Sequence, residues 1–163
     1  MQDKNVRQWG PLAMVAFWLL VLGALYAVMH QYLKPKPVTI TASGALVIPQ
    51  SRDGHFYAPG SVNGKPVTFM VDTGASLVTV SAPFALSAGI GAGAPTVFKT
   101  ANGDLQGRIV PDVPVTLGPI QVSGVRVGVG LVGGAMDEAL LGQSFLSKFN
   151  VMLSQDQMTL RPR

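Results

Sequence analysis

Catalysis in this chain has few side chains to draw on. The sequence holds no cysteine and two histidines, so it offers no thiol nucleophile, no disulfide framework and no cysteine-ligated zinc. His30 stands at the edge of an apolar run, which leaves His55 as the one histidine of the remaining chain. Neither H-E-x-x-H nor G-x-S-x-G occurs, and a Ser–His–Asp triad would rest on His55 with no supporting motif. His55 follows Asp53-Gly54 in an expected hairpin and reads as a surface strand histidine. Gly128-Val-Gly-Leu-Val-Gly133 matches G-x-G-x-x-G letter for letter. No helix start or βαβ pattern accompanies it, so it reads as a loop between strands. No metal centre and no cofactor are expected.

What remains is a carboxylate. Phe69-Met-Val-Asp72-Thr73-Gly74-Ala75-Ser76 is an apolar strand that runs into Asp-Thr-Gly and resumes as Leu77-Val-Thr-Val80. An aspartate closing a buried strand is costly unless its charge is hydrogen-bonded or shared. Ser76 and the amides beyond Gly74 are placed to bond it, and Gly74 lets backbone approach the carboxylate without a side chain intervening. A structural reading stands beside this one, in which Asp72 opens an Asx-turn that reverses the strand.

The elements that would position Asp72 are short strands. Gly, Pro, Val and Thr dominate after residue 37, with 19 Gly and 12 Pro in the whole chain, a composition suited to strands joined by tight turns. Asp53-Gly54, Asn63-Gly64 and Asn102-Gly103 are suited to type I′ hairpin turns. Strands are expected near 45–51, 55–62, 66–72, 76–81, 96–101, 104–110, 113–117, 120–130 and 157–161, with short helices near 82–88 and 143–149. The domain is read as all-β or nearly so.

Ahead of it, residues 11–29 carry no charge and are long enough to cross a bilayer as a helix. The run exceeds a usual signal-peptide core, and His30-Gln-Tyr-Leu-Lys-Pro-Lys-Pro37 offers no small-residue cleavage site. The organisation expected is a tail over 1–10, a transmembrane anchor over 11–30, a linker over 31–44 and one domain over 45–163. Gly23 and Ala27 form a small-xxx-small pair, a spacing common in membrane helices.

Charge excludes one class of partner. The sequence pI is near 9.7, but Lys4, Arg7, Lys34 and Lys36 flank the apolar run against Asp3 alone. Residues 45–163 hold eight Lys/Arg against seven Asp/Glu, a balance of +1. No basic stripe is left for nucleic acid, and the cations sit where lipid headgroups would be. The flanking cations tie at two on each side; the free amino terminus tips the balance toward an inside N-terminus.

The chain resembles the retropepsin-like aspartic proteases, specifically the short membrane-anchored bacterial members. The likeness is carried by Val71-Asp72-Thr73-Gly74-Ala75-Ser76, by Leu140-Leu141-Gly142 followed by Gln143-Ser-Phe-Leu146, and by Thr100-Ala101-Asn102-Gly103 in the position of the family's flap. These span roughly residues 60–160. Gln143 departs from the pattern, which has an apolar residue there. The resemblance implies an acid-protease barrel with Asp72 catalytic, Thr73 to Ser76 supporting it, and the Lys99–Gly107 hairpin closing over a peptide. It implies Leu140-Leu141-Gly142 as a strand beside the Asp-Thr-Gly loop, leading into a helix in which Phe145, Leu146 and Phe149 pack inward.

Two carboxylates must share one water in that chemistry. Asp-Thr-Gly occurs once, and Asp104, Asp112, Asp137 and Asp156 lack its context, so the resemblance implies a second copy of the chain paired through Asp72. The expected protein is a membrane-anchored aspartic endopeptidase, a homodimer, with its domain on the periplasmic side of a bacterial inner membrane. The alternatives are a catalytically silent peptide-binding or dimerisation module of the same fold, and a structural membrane protein whose β domain contacts partners.

Overall fold

The computed structural model describes residues 9–33, 37–41, 44–100, 103–130 and 137–163. The chain divides into two units, residues 1–35 and 36–163. The first contains α1 (Trp9–Leu33), whose apolar residues are spread around its whole circumference. Its segment Gly10–His30, 21 residues, is long and apolar enough to cross a membrane, since about 1.5 Å per residue gives it roughly the thickness of a bilayer's hydrocarbon core.

The second unit is all-β with two short helices. In chain order it contains β1 (Thr39–Ile40), β2 (Leu46–Pro49), β3 (Tyr57–Val62), β4 (Lys65–Val71), β5 (Val78–Val80), α2 (Ala82–Ser87), β6 (Ala94–Thr100) and β7 (Gly103–Leu117). It continues with β8 (Ile120–Val129), β9 (Glu138–Leu141), α3 (Gln143–Leu146), β10 (Phe149–Leu153) and β11 (Gln157–Pro162). Seven strands form one sheet in the order β3-β4-β9-β5-β8-β7-β6, and β3 also pairs with β7, closing six of them on themselves. β1, β2, β11 and β10 form a second sheet of four.

Alternation fixes which faces turn inward. Along β4, Val67, Phe69 and Val71 are buried while Pro66 and Thr68 are exposed. These side chains meet Phe84, Leu117, Leu141, Phe145 and Leu160 in one core. Closure of the barrel depends on Gly60, where a Cβ would overlap the carbonyl oxygen of Thr116 and stand 2.7 Å from the Phe69 ring. A side chain there would push β3 away from β7. Ser81 caps α2, its Oγ accepting from the Phe84 amide at 3.2 Å.

Turn chemistry explains both agreements and departures. Asn63 and Gly64 take φ of 51° and 78°, as a type I′ turn between β3 and β4 requires. Of Asp53-Gly54, only Gly54 has positive φ, so that turn is not type I′. The carboxylate of Asp53 instead accepts from the His55 amide and the Tyr57 hydroxyl. The strands expected at 104–110 and 113–117 are one, β7, interrupted by an irregularity around Asp112, whose φ is 57°. The helix expected over 143–149 stops at Leu146. Phe149 starts β10 and stacks on Phe145 across the turn, 5.1 Å between ring centroids. β1 and β10 fall where no strand is expected from sequence. Of Gly128–Gly133, the first two residues end β8 and Gly130 follows it; the remainder lies outside the described residues.

Candidate active site

β9 is the key to the site. It lies between β4 and β5, parallel to the first and antiparallel to the second, with Val71 opposite Leu141 and Thr79 opposite Leu140. The loop from β4 to β5, residues 72–77, must therefore arch across the end of β9. The amide of Asp72 donates to the Leu141 carbonyl at 3.1 Å, carrying the ladder one residue past β4. The chain then turns sharply, with the Ala75 amide donating to the Asp72 carbonyl at 3.2 Å.

The carboxylate is anchored by its own loop. Oδ1 of Asp72 accepts from the Gly74 amide at 2.9 Å. This is the i-to-i+2 bond of an Asx-turn, so the structural reading of Asp72 holds and leaves the chemical one intact. Oδ2 accepts no protein hydrogen bond among the described residues. Asp72 is half-buried and stands past the buried end of β4. The desolvation expected of a buried aspartate is therefore smaller than the sequence suggests. The bond also comes from the Gly74 amide itself, whereas the sequence pointed to Ser76 and the amides beyond; no bond joins the exposed Ser76 to the carboxylate. A Cβ at Gly74 would stand 3.3 Å from Oδ1, tight enough to loosen that bond.

A second segment clamps the loop from behind. The amides of Gln143 and Ser144 donate to the carbonyls of Ala75 and Ser76 at 2.8 and 3.0 Å. The side-chain amide of Gln143 donates to the Thr73 carbonyl at 2.9 Å. Ser144 Oγ accepts from the Val78 amide and donates to the Arg126 carbonyl, both at 2.8 Å, tying α3 to β5 and β8. Gly142 makes this approach possible, since a Cβ there would overlap the Leu77 carbonyl oxygen and lie 2.6 Å from that of Ala75. Gln143 and Ser144 thus hold the loop in position. The only sign of this in the sequence was that Gln143 stands where an apolar residue is the pattern.

The other residues of interest divide between this clamp and the hairpin. Thr73, Gly74 and Ser76 are exposed, Ala75 and Leu140 half-buried, and Leu141 and Gly142 buried. β6 and β7 form the hairpin in which the flap was expected, with Thr100 opposite Gly103 and Thr100 Oγ1 donating to the Gly103 carbonyl at 2.8 Å. Ala101 and Asn102 lie outside the described residues. The Phe98 ring fills a hollow of glycines. Cβ atoms at Gly107, Gly128 and Gly130 would stand 2.6, 3.0 and 3.7 Å from it, and Leu77 borders the same hollow. His55 is exposed, with Nδ1 3.5 Å from Asp53 Oδ2.

A closed β-barrel carrying one Asp-Thr-Gly loop, braced by a strand, a glycine and a short helix, has the fold and motif of an aspartic-protease class. A family model described as "gag-polyprotein putative aspartyl protease" matches residues 58–148, more than half of the chain. A crystal structure of a retropepsin-like aspartic protease from Rickettsia conorii is similar with a TM-score of 0.59 and 31% identity, covering 72% of this chain and 98% of that one. The chain belongs to the retropepsin-like aspartic protease family. Two uncharacterized bacterial proteins are also similar. One, encoded in the cobV 5′ region of Sinorhizobium, is 29% identical over 92% of this chain and 73% of its own length. The other, from Rickettsia prowazekii, is 34% identical over 67% of this chain. The matched region spans 47% of the Rickettsia prowazekii protein.

Proposed function

We propose that the protein is a membrane-anchored aspartic endopeptidase whose site forms when two copies bring their Asp72 carboxylates together around one water. The observation that carries this reading is the state of Asp72: one oxygen is fixed by the Gly74 amide, and the other is free of protein hydrogen bonds among the described residues. Neighbouring carboxylates cannot both ionise easily, so the pair holds one proton. The ionised member takes a proton from water as its oxygen attacks the peptide carbonyl carbon, and the protonated member gives its proton to the carbonyl oxygen. Collapse of the resulting diol breaks the C–N bond, and the amine leaves with a proton returned through the pair. Thr73 would steady the paired loops across the two-fold axis, and the β6–β7 hairpin would cover the peptide and exclude water.

The test is turnover of a mixed peptide library by the full chain in detergent. Asp72→Asn should lower cleavage by at least about 10³-fold, the scale of a lost general acid–base pair, with the fold intact. Mixing wild type with excess Asp72→Asn chains should reduce activity beyond simple dilution, because each mixed pair keeps one carboxylate. Substantial turnover by pure Asp72→Asn protein would sink the mechanism. Peptide affinity without turnover in the wild type would select the silent binding module.

The anchor supports confinement of both copies to one plane, raising their effective concentration. We place the domain in the periplasm and the short tail inside, on the strength of the apolar helix and the amino-terminal charge. Protease added outside spheroplasts should digest the domain. Protection until lysis would reverse that orientation.

A further inference from the structure

Behind the clamp lies an open polar cleft of about 360 Å³. Its walls carry Arg126 from β8, Lys148 after α3, and the polar side chains of Ser76, Gln143, Ser144 and Ser147. Arg126 and Lys148, both exposed, are its two cationic lining residues, and no acidic residue lines it. Asp112 Oδ1 comes within 3.8 Å of the Cβ position of Gly124 at the rim. Even so, neither Arg126 nor Lys148 has a carboxylate within salt-bridge distance among the described residues. The domain as a whole is nearly neutral, with eight basic against seven acidic residues over 45–163. Two unpaired cations in one concave place are therefore a local arrangement rather than a share of a general excess.

The floor of this cleft is fixed. Ser144 Oγ spends its proton on the Arg126 carbonyl and accepts the Val78 amide, so Arg126 leaves β8 from a pinned backbone. The hydroxyls of Ser76 and Ser147 make no bond among the described residues. A guanidinium fork, an ammonium and two free hydroxyls around one hollow suit a carboxylate, which accepts up to four hydrogen bonds and is bound in pairs by arginine. Position supplies the rest of the argument. Ser76 belongs both to this cleft and to the loop that carries Asp72. Four Cα steps of about 3.8 Å limit the separation to roughly 15 Å, the reach of four or five extended residues.

The geometry points to a specificity site: Arg126 and Lys148, with Ser76 and Ser147, receive an acidic side chain of a peptide within five residues of the bond held at Asp72. This rests on the protease reading for its direction along the peptide, and its test is separable from that reading. The probes are fluorescein-labelled peptides with a Phe-Leu centre and flanking alanines, each flanking position in turn carrying Glu or isosteric Gln. Binding to the full chain in neutral detergent is followed by anisotropy, and cleavage of the same peptides is followed separately. At one or two positions Glu should bind about tenfold more tightly than Gln, the scale of a partly solvated charge-assisted pair. R126Q/K148Q should erase the difference and leave the Gln peptides unchanged. R126E/K148E should transfer the preference to Lys.

Equal binding of Glu and Gln peptides at every position would overturn the assignment, as would a preference that survives both double variants or binding of no peptide at all. So would binding of dihexanoyl phosphatidylglycerol, lost in R126Q/K148Q, without any Glu preference; the cleft would then be a lipid-headgroup site. A Glu preference that behaves as stated in a chain that cleaves nothing would uphold the cleft and remove the protease.

Discussion

The two walls of the candidate site are built on opposite plans. The Asp72 loop is held by β4 and β9 in front and by Gly142, Gln143 and Ser144 behind, through bonds to the carbonyls of Thr73, Ala75 and Ser76. The hairpin of β6 and β7 lies at the margin of its sheet, where β6 pairs with β7 alone and has no fully buried residue. Phe98 in the glycine hollow is its principal apolar fastening. Few buried contacts mean a low local opening free energy. One wall therefore keeps its geometry before anything binds, and the other can change at little expense. On the proposed mechanism a carboxylate meeting its counterpart within hydrogen-bond distance would need the first plan, and a cover admitting a peptide would need the second.

The largest way to break this contrast is at Gly142. An alanine Cβ would press on two backbone oxygens that cannot rotate away, so Gly142→Ala should cost about 3 kcal/mol or more and abolish turnover together with the fold. Thermal unfolding of the variant would check it, and an unchanged Tm would show that the clamp yields. The hairpin should answer differently. Phe98→Ala removes its fastening, and amide exchange in β6 should rise about tenfold or more with Tm nearly unchanged. Peptide binding should weaken while exchange in the 72–77 loop stays as it was. Loosening of both walls together would end the distinction.

Smaller effects sharpen it. Gln143→Ala deletes one exposed side-chain bond to the Thr73 carbonyl but keeps the backbone bond to Ala75, so stability should fall by only about 0.5–1.5 kcal/mol. Turnover should fall more steeply than peptide affinity, since Asp72 would be displaced while Arg126 and Lys148 remain in the cleft. The smallest effect is expected away from both walls. The His55 amide and then the Tyr57 hydroxyl hold Asp53 below its ordinary carboxyl pKa of 3.8. A lowered native pKa stabilises above that ordinary value, and the contribution fades as pH falls through the native one. Shifts of the His55 amide should therefore report local loosening of the turn only in strong acid. The same contact raises the Tyr57 phenol pKa.

How much of this could be read beforehand depended on distance along the chain. The Asn63-Gly64 turn and the alternation of β4 are local, and the residues announce them. β10 was not announced, because Phe149-Asn-Val-Met-Leu153 lies at the margin of its sheet with both faces largely exposed and shows no two-residue alternation of burial. The helix read through Phe149 followed a genuine pairing with Phe145, but the contact crosses a turn instead of a helical face. At the site, Asp72 was legible as a motif and its Asx-turn as local chemistry. The bond from Gln143 to Thr73 crosses 70 positions and that from Val78 to Ser144 crosses 66, and no short-range pattern encodes them. The polar cleft was equally hidden, since Ser76, Arg126 and Lys148 meet only once β8 and α3 have docked.

The placement of β9 also orders events in time. The strand that separates β4 from β5 is contributed by residues 138–141, and the carbonyls of the Asp72 loop find their donors only at 143 and 144. Closing loops of that length is entropically slow and precedes any reward from the contacts it permits. During synthesis, β3, β4 and β5 leave the ribosome well before their missing neighbour exists. A nascent chain that ends short of residue 138 carries Asp72 without its brace, however much of the barrel has gathered. Bracing of the Asp72 loop is thus postponed until residues 138–144 have been made, and a polypeptide terminated before them holds that loop unclamped.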